Sequence, residues 1–223
     1  MSKWNYSINR KKIAKVLIKE ICKLAFFSIK KNGVFRIVVP GGLSYKDVYI
    51  ELSKLNLAWN KWHFYITDER VLPKNHKNRN DTMLNKLLFE SIDIPSRNIN
   101  FFDFSKGIKH SIRQYHTKIG KIYNFDLVLL GVGSDGHVAS LFPGCEHQGN
   151  KEVIIEKLAP KLPKIRVSLS LSRLNKSMNI FKLVVGKEKK VIIKALKSNK
   201  DIPANNVSSK NEKIFTLSSN KLL

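Results

Sequence analysis

Three short runs, Val34–Val39, Trp62–Thr67 and Phe125–Leu130, are apolar along most of their length and lack the strict alternation of a strand with one wet face. Strands of that kind are buried on both sides, as in a parallel sheet covered by helices. Each run ends in a loop of unusual composition. Pro40-Gly41-Gly42 follows the first, Asp68-Glu69-Arg70 the second, and a stretch from Gly131 to Gly144 the third. Helical spacing appears between them. In residues 10–31, Ile13, Val16, Leu17, Ile21, Leu24 and Ala25 form one apolar stripe, and Asn32-Gly33 supplies a stop. Further helices are predicted near 45–57, 80–90, 107–122 and 187–197, and further strands near 99–102, 164–170, 180–185 and 213–217. The β-α-β order predicts an α/β fold. It is a doubly wound, mostly parallel, Rossmann-like sheet with helices on both faces, in a single domain over 1–223. In such sheets the ligand crevice forms at the carboxyl ends of the strands, so loops 40–45, 68–80 and 131–145 are expected to converge there.

Composition narrows the class. Hydrophobic residues make up 43% of the 223, enough for a sizeable core and too many for a disordered chain. No run approaches the roughly 18 apolar residues of a membrane helix. The basic N-terminus lacks the unbroken apolar region of a secretory signal. Residues 1–31 hold a single acid, Glu20, as a transit peptide would, but the same residues make a good folded helix. Cys22 and Cys145 are too few for a four-cysteine zinc site and suggest no disulfide framework, so a reducing, cytoplasmic compartment is expected. The net charge of +24, from 41 Lys+Arg against 17 Asp+Glu, points in principle to an anionic partner. The charge is dispersed, however, and Lys, Asn and Ile are abundant at plain positions. That is the pattern of compositional bias, and neither a nucleic-acid nor a membrane partner is inferred.

The chemistry sits in the loops. Gly131, Gly133 and Gly136 let the backbone turn sharply after a buried strand and offer N–H groups as an anion cradle. His137 stands at the loop exit, where a neutral imidazole can activate water, and Asp135 can orient it or contact ligand hydroxyls. The same glycine spacing occurs in dinucleotide-binding loops. Here it lies in mid-chain, and neither Glu152 nor Glu156 ends a strand about 20 residues later, as ribose recognition requires. Gly41 and Gly42, between strand and helix, present backbone N–H groups suited to phosphate, with Ser44 as helix cap or phosphate donor. Asp68, Glu69 and Arg70 make sense lining a polar crevice, Arg70 offering its planar donors to a carbonyl, oxyanion or phosphate. Arg166, on the strand near 164–170, and Lys187, after Gly186, are further candidates for a phosphate dianion.

Together, in this order and spacing from about Val34 to about Thr216, these motifs resemble the 6-phosphogluconolactonase family, more distantly related to glucosamine-6-phosphate deaminases and isomerases. Two details favour the lactonase side over the deaminase alternative. The chain reads Asp68-Glu69-Arg70 where deaminases carry Asp-Glu-Tyr, and Val138-Ala-Ser-Leu-Phe-Pro-Gly144 where they carry Ile-Ala-Phe-Asn-Glu-Pro-Gly. The resemblance implies hydrolysis of 6-phospho-D-glucono-1,5-lactone, with the sugar-phosphate lactone as the partner and no metal or organic cofactor; the oligomeric state is left open. It implies that His137 deprotonates water, that Arg70 holds substrate and the developing oxyanion, and that Gly41, Gly42, Ser44, Arg166 and Lys187 surround the phosphate or nearby hydroxyls. Asp68, Asp135 and Gly133 complete the expected site. Three segments depart from the family pattern. Leu43-Ser44-Tyr45 stands for Ser-Thr-Pro, Asn78-Arg79-Asn80 for Asp-Ser-Asn, and Phe215-Thr-Leu-Ser-Ser219 for a stretch with an acid and alanines.

Overall fold

The computed structural model describes residues 2–145, 151–186 and 189–221. Among them, ten strands form two sheets. The larger contains β1 (Lys3–Ser7), β2 (Phe35–Val39), β3 (Trp62–Ile66), β5 (Ile99–Asn100), β6 (Leu127–Gly131), β9 (Asn179–Val184) and β10 (Asn211–Leu217). Its order is β1-β10-β9-β6-β2-β3-β5, and every neighbouring pair is parallel. The chain winds outward from β2 through β3 to β5, then returns with β6 on the other side of β2. The topological switch therefore lies between β2 and β6, the place where the loops after two neighbouring strands part and leave a crevice.

Both faces of this sheet are covered. Helix α1 (Arg10–Asn32) starts at Asn9, whose side chain accepts the Lys12 N–H at 2.9 Å, and stops at Gly33, whose φ of 74° permits the closing turn. Trp62 of β3 lines a common pocket with Cys22, Ala25 and Phe26 of α1 on one side. Tyr65, odd where Trp62 is even, turns to the other side and packs on Phe125 at 5.2 Å. Above Phe125, at 4.2 Å, lies the guanidinium of Arg173, from α5 (Leu171–Asn175). Helix α4 (Ile108–Gly120) joins the same side, its Tyr115 hydroxyl lying 2.8 Å from Ile66 N and 2.9 Å from Ile66 O.

The second sheet holds β4 (Asp68–Arg70), β7 (Val153–Glu156) and β8 (Arg166–Leu169), antiparallel in the order β4-β8-β7. It is joined to the first by Thr67, whose N–H donates to Val39 O at 3.0 Å and whose carbonyl accepts Leu169 N–H at 2.8 Å. Two expectations change here. Asp68–Arg70 is a strand, not a loop, and the strand read near 164–170 belongs to this small sheet and not to the parallel one. The helix expected over 45–57 is a tight turn, Leu43–Tyr45, followed by α2 (Lys46–Leu52). Helices α3 (Asn80–Leu87), α6 (Lys190–Lys197) and α7 (Pro203–Asn206) complete the set. No helix among the described residues is long and apolar enough to cross a membrane.

Candidate active site

A cleft of about 560 Å³ opens at the carboxyl ends of β2 and β6, at the switch point. Gly41, Gly42 and Ser44 form one wall, and Gly131, Gly133, Asp135 and His137 another. Asp68, Arg70, Asn80 and Arg166 form the third, and Lys161 and Lys189 stand at its edge. The three loops expected to converge do so, and Arg70 and His137 face the same space.

The glycine loop is built around its histidine. Gly133 N–H donates to His137 O at 2.9 Å and Gly136 N–H to Gly133 O at 3.2 Å, closing the loop on itself. These two N–H groups are thus spent inside the loop and are not the anion cradle expected from the sequence. Gly133 matters for a different reason: a Cβ there would overlap the His137 ring and the Asp135 carboxylate. The ring lies with Nδ1 2.5 Å from Asp135 Oδ1, and the His137 N–H donates to the same oxygen at 3.2 Å. If Nδ1 donates to that carboxylate, Nε2 is left with a lone pair that can accept a proton. Burial alone would raise the Asp135 carboxyl, but the His137 ring and backbone N–H outweigh it and hold it below its ordinary value. Phe142 backs the imidazole at 4.8 Å between ring centroids, and Arg166 lies over the same Phe142 ring at 5.5 Å.

The small sheet supplies positive charge. Its register places Arg70 opposite Arg166, and Arg166 opposite Glu156. Like charges directly opposite on neighbouring strands are unfavourable unless something neutralises them. Glu156 serves Arg166 from one side; the other side is the cleft. Burial lowers the proton affinity of Arg166, Asp68 and Glu156 raise it, and Arg70 lowers it again. Both guanidinium groups are held by backbone. Arg70 Nη1 donates to Asn78 O at 2.6 Å, and Arg166 donates from Nε to Pro163 O at 3.2 Å and from Nη2 to Lys161 O at 3.1 Å. The buried Nε of Arg70 has no hydrogen-bond partner among the described residues.

Other sequence candidates fare differently. Asp68 lines the cleft, but its carboxylate accepts the hydroxyls of Thr67 at 2.8 Å and Ser140 at 2.7 Å, tying β4 to the segment after His137. Glu69 does not line the crevice. In a strand its side chain points opposite to those of Asp68 and Arg70, and it is fully buried behind them. Ser44 caps no helix; it lies within the Leu43–Tyr45 turn with its Oγ near Gly131. The N–H groups of Gly41 and Gly42 have no hydrogen-bond partner among the described residues. A side chain at Gly41 would overlap the amide of Asn80, which donates to Asp68 O at 2.8 Å. Tyr45 is buried, its hydroxyl 3.2 Å from Leu130 O and 3.1 Å from Phe181 O, so it braces the main sheet and contributes nothing to the cleft. Lys187 lies outside the described residues. Lys189, largely buried at the cleft edge, went unread: Lys187, Lys189 and Lys190 crowd one short segment, and nothing in their spacing selects the one that faces inward. Glu152 lies 3.9 Å from Arg173, and Glu156 pairs in register with Arg166 in the small sheet, so neither ends a strand of the parallel sheet as ribose recognition requires.

The family described as glucosamine-6-phosphate isomerases/6-phosphogluconolactonase matches residues 8–216. The 6-phosphogluconolactonase of Thermotoga maritima is 33% identical over 189 residues, covering 83% of this chain and 84% of that one. Its likeness extends to structure: the crystal structure of 6-phosphogluconolactonase from that organism superposes with a TM-score of 0.90 over 97% of this chain and 99% of the other, at 27% identity. The chloroplastic 6-phosphogluconolactonase 3 of Arabidopsis thaliana is 31% identical over 84% of this chain and 64% of its own length. A parallel sheet with its cleft at the switch point, a glycine loop wrapped around a histidine, and this match over nearly the whole chain lead to one conclusion: the chain belongs to the glucosamine-6-phosphate isomerase/6-phosphogluconolactonase family.

Proposed function

We propose that this chain hydrolyses 6-phospho-D-glucono-1,5-lactone to 6-phospho-D-gluconate, in the oxidative branch of the pentose phosphate pathway. The carrying observation is a base with its orienting carboxylate, His137 and Asp135, facing two cross-strand arginines in one cleft. A δ-lactone is an activated ester and requires no covalent nucleophile. Nε2 of His137 takes a proton from water as the water oxygen attacks the lactone carbonyl carbon. Arg70, which lines the same cleft, meets the oxyanion of the tetrahedral intermediate with its guanidinium. The bond from that carbon to the ring oxygen then breaks, and the ring oxygen receives the proton from His137, leaving the open acid.

The phosphate belongs at the far end, where Arg166 and Lys189 combine with the unpaired N–H groups of Gly41 and Gly42 and the Ser44 hydroxyl. A dianion there relieves the repulsion between Arg70 and Arg166 and orients the reacting carbon. We place the enzyme in the cytoplasm, in keeping with two free cysteines. We treat the chain as one domain, since Thr67 hydrogen-bonds both sheets together.

The test is a coupled assay on freshly generated lactone, corrected for its spontaneous opening. His137→Ala should lower kcat by roughly 10²–10⁴-fold with KM little changed. Near-normal turnover in the folded variant refutes the role, and ammonia release from glucosamine 6-phosphate by the wild type would point to the deaminase reaction instead.

A further inference from the structure

Glu69 is the one member of the Asp68–Arg70 strand whose side chain leaves the cleft, and its carboxylate is completely buried. Burying a carboxylate is costly unless it is well paired. Its partners are specific. Oε1 accepts the N–H of Arg70 at 2.7 Å and of Asn80 at 2.8 Å, and Oε2 accepts the N–H of Asp81 at 2.8 Å. Two of these donors open α3, where backbone N–H groups have no partner within the helix. The third belongs to the residue that carries the cleft guanidinium.

We propose that Glu69 is a positioning residue for the reaction: its carboxylate clamps β4 to the first turn of α3 and thereby holds the Arg70 guanidinium and the Asn80 amide in the cleft. The clamp extends through Asn80. That amide donates to Asp68 O and packs where Gly41 leaves room, so one buried group sets the spacing of β4, α3 and the Gly41-Gly42 loop. Arg79, the nearest cation, has anchors of its own besides Glu69. It donates to Asp81, to Leu72 O at 2.9 Å and to Phe102 O at 2.9 Å, while its Nη2 stands 3.9 Å from Glu69. The charged groups facing Glu69 are therefore Arg79 and Asp81. Burial, and then Asp81, push the Glu69 carboxyl up to about 7, against the pull of the three backbone N–H groups. A proton on either oxygen would turn an acceptor towards a donor and loosen the clamp.

The inference uses the lactonase reading for its activity readout only. In Glu69→Gln an amide NH₂ replaces one accepting oxygen. Expected is a fall in kcat/KM of up to about 10²-fold, carried mainly by kcat because Arg70 acts on the oxyanion. The shorter carboxylate of Glu69→Asp should restore part of it. Backbone hydrogen exchange at Arg70, Asn80 and Asp81 should rise by about tenfold or more in Glu69→Gln while the core strands β2 and β6 stay protected. Wild-type kcat/KM in folded Glu69→Gln overturns the proposal, as does exchange that rises equally throughout the molecule. If Glu69→Gln does not fold, wild-type kcat/KM together with wild-type exchange at the three amides in Glu69→Asp overturns it. A wild type without lactonase activity defeats the proposed function, and exchange at the three amides then decides the clamp by itself.

Discussion

At the scale of single residues, the site depends on how little room surrounds His137. Asp135 fixes the ring from one side and Phe142 backs it from another, and Gly133 is close enough that any Cβ would enter the ring. The glycine therefore serves the histidine by having no side chain; its N–H is already bonded to His137 O. Gly133→Ala should push the imidazole off Asp135 while leaving the main sheet intact. The expected loss in kcat is about 10²-fold, the order that follows from misplacing a catalytic group by about an ångström. Unchanged thermal unfolding together with the lost turnover would confirm this; normal turnover would show that the ring has another position to occupy. Gly41→Ala meets the Asn80 amide instead and should act chiefly on KM, through the end of the cleft proposed for the phosphate.

At the scale of elements, β9 and β10, next to the edge strand β1, carry a buried ion pair. Lys182 Nζ lies 2.8 Å from Glu212 Oε1, and both side chains are almost wholly covered. Burial lowers the proton affinity of Lys182, and Glu212 restores part of it. Removing one partner strands the other charge, so Glu212→Gln should cost about 3–5 kcal/mol, whereas the double replacement Lys182→Met/Glu212→Leu should be neutral or stabilising. Denaturant unfolding of the three proteins decides between these outcomes. The same strand shows what the sequence could reveal. Ile180, Phe181, Leu183 and Val184 are apolar enough that one lysine did not hide β9, and the runs at β2, β3 and β6 were equally plain. Strands β4 and β7, of 3 and 4 residues, carry charges at their ends and have no period to detect. They exist because β8 lies between them. Strand β1 likewise depends on β10, at the opposite end of the chain. That is why His137 and Arg70 could be assigned to a common crevice from the loops after β6 and β3, while Glu69 was read as a cleft residue. Only a strand conformation, which is set by tertiary pairing, sends alternate side chains to opposite sides.

At the scale of the whole molecule, two sources of attraction act on an anionic substrate and they differ in range. The net charge of +24 gives a diffuse field. Ions screen that field over about 8–10 Å at moderate salt, so it acts on approach and fades as salt is added. In the proposed phosphate site Arg166 acts at contact. It is mostly buried, anchored to Pro163 O and Lys161 O, and directly opposite Arg70, so its orientation is fixed before the substrate arrives. A charge-assisted hydrogen bond of that kind is worth about 1.5–3 kcal/mol. Arg166→Ala should therefore raise KM by roughly 10- to 100-fold, each 1.4 kcal/mol being a factor of about ten. The increase should persist at every salt concentration. Lys12, exposed on the outer face of α1, contributes only to the diffuse field, and Lys12→Ala should leave KM nearly unchanged. In all three proteins KM should drift upward together as salt is raised from about 50 mM to about 500 mM, because the screened term is common to them. Steady-state kinetics across that range separates the two contributions. A vertical offset for Arg166→Ala on parallel salt curves is the mark of a built phosphate site. Curves for Arg166→Ala and Lys12→Ala that coincide would mean that the substrate is gathered by bulk charge alone and that the opposed arginines hold nothing.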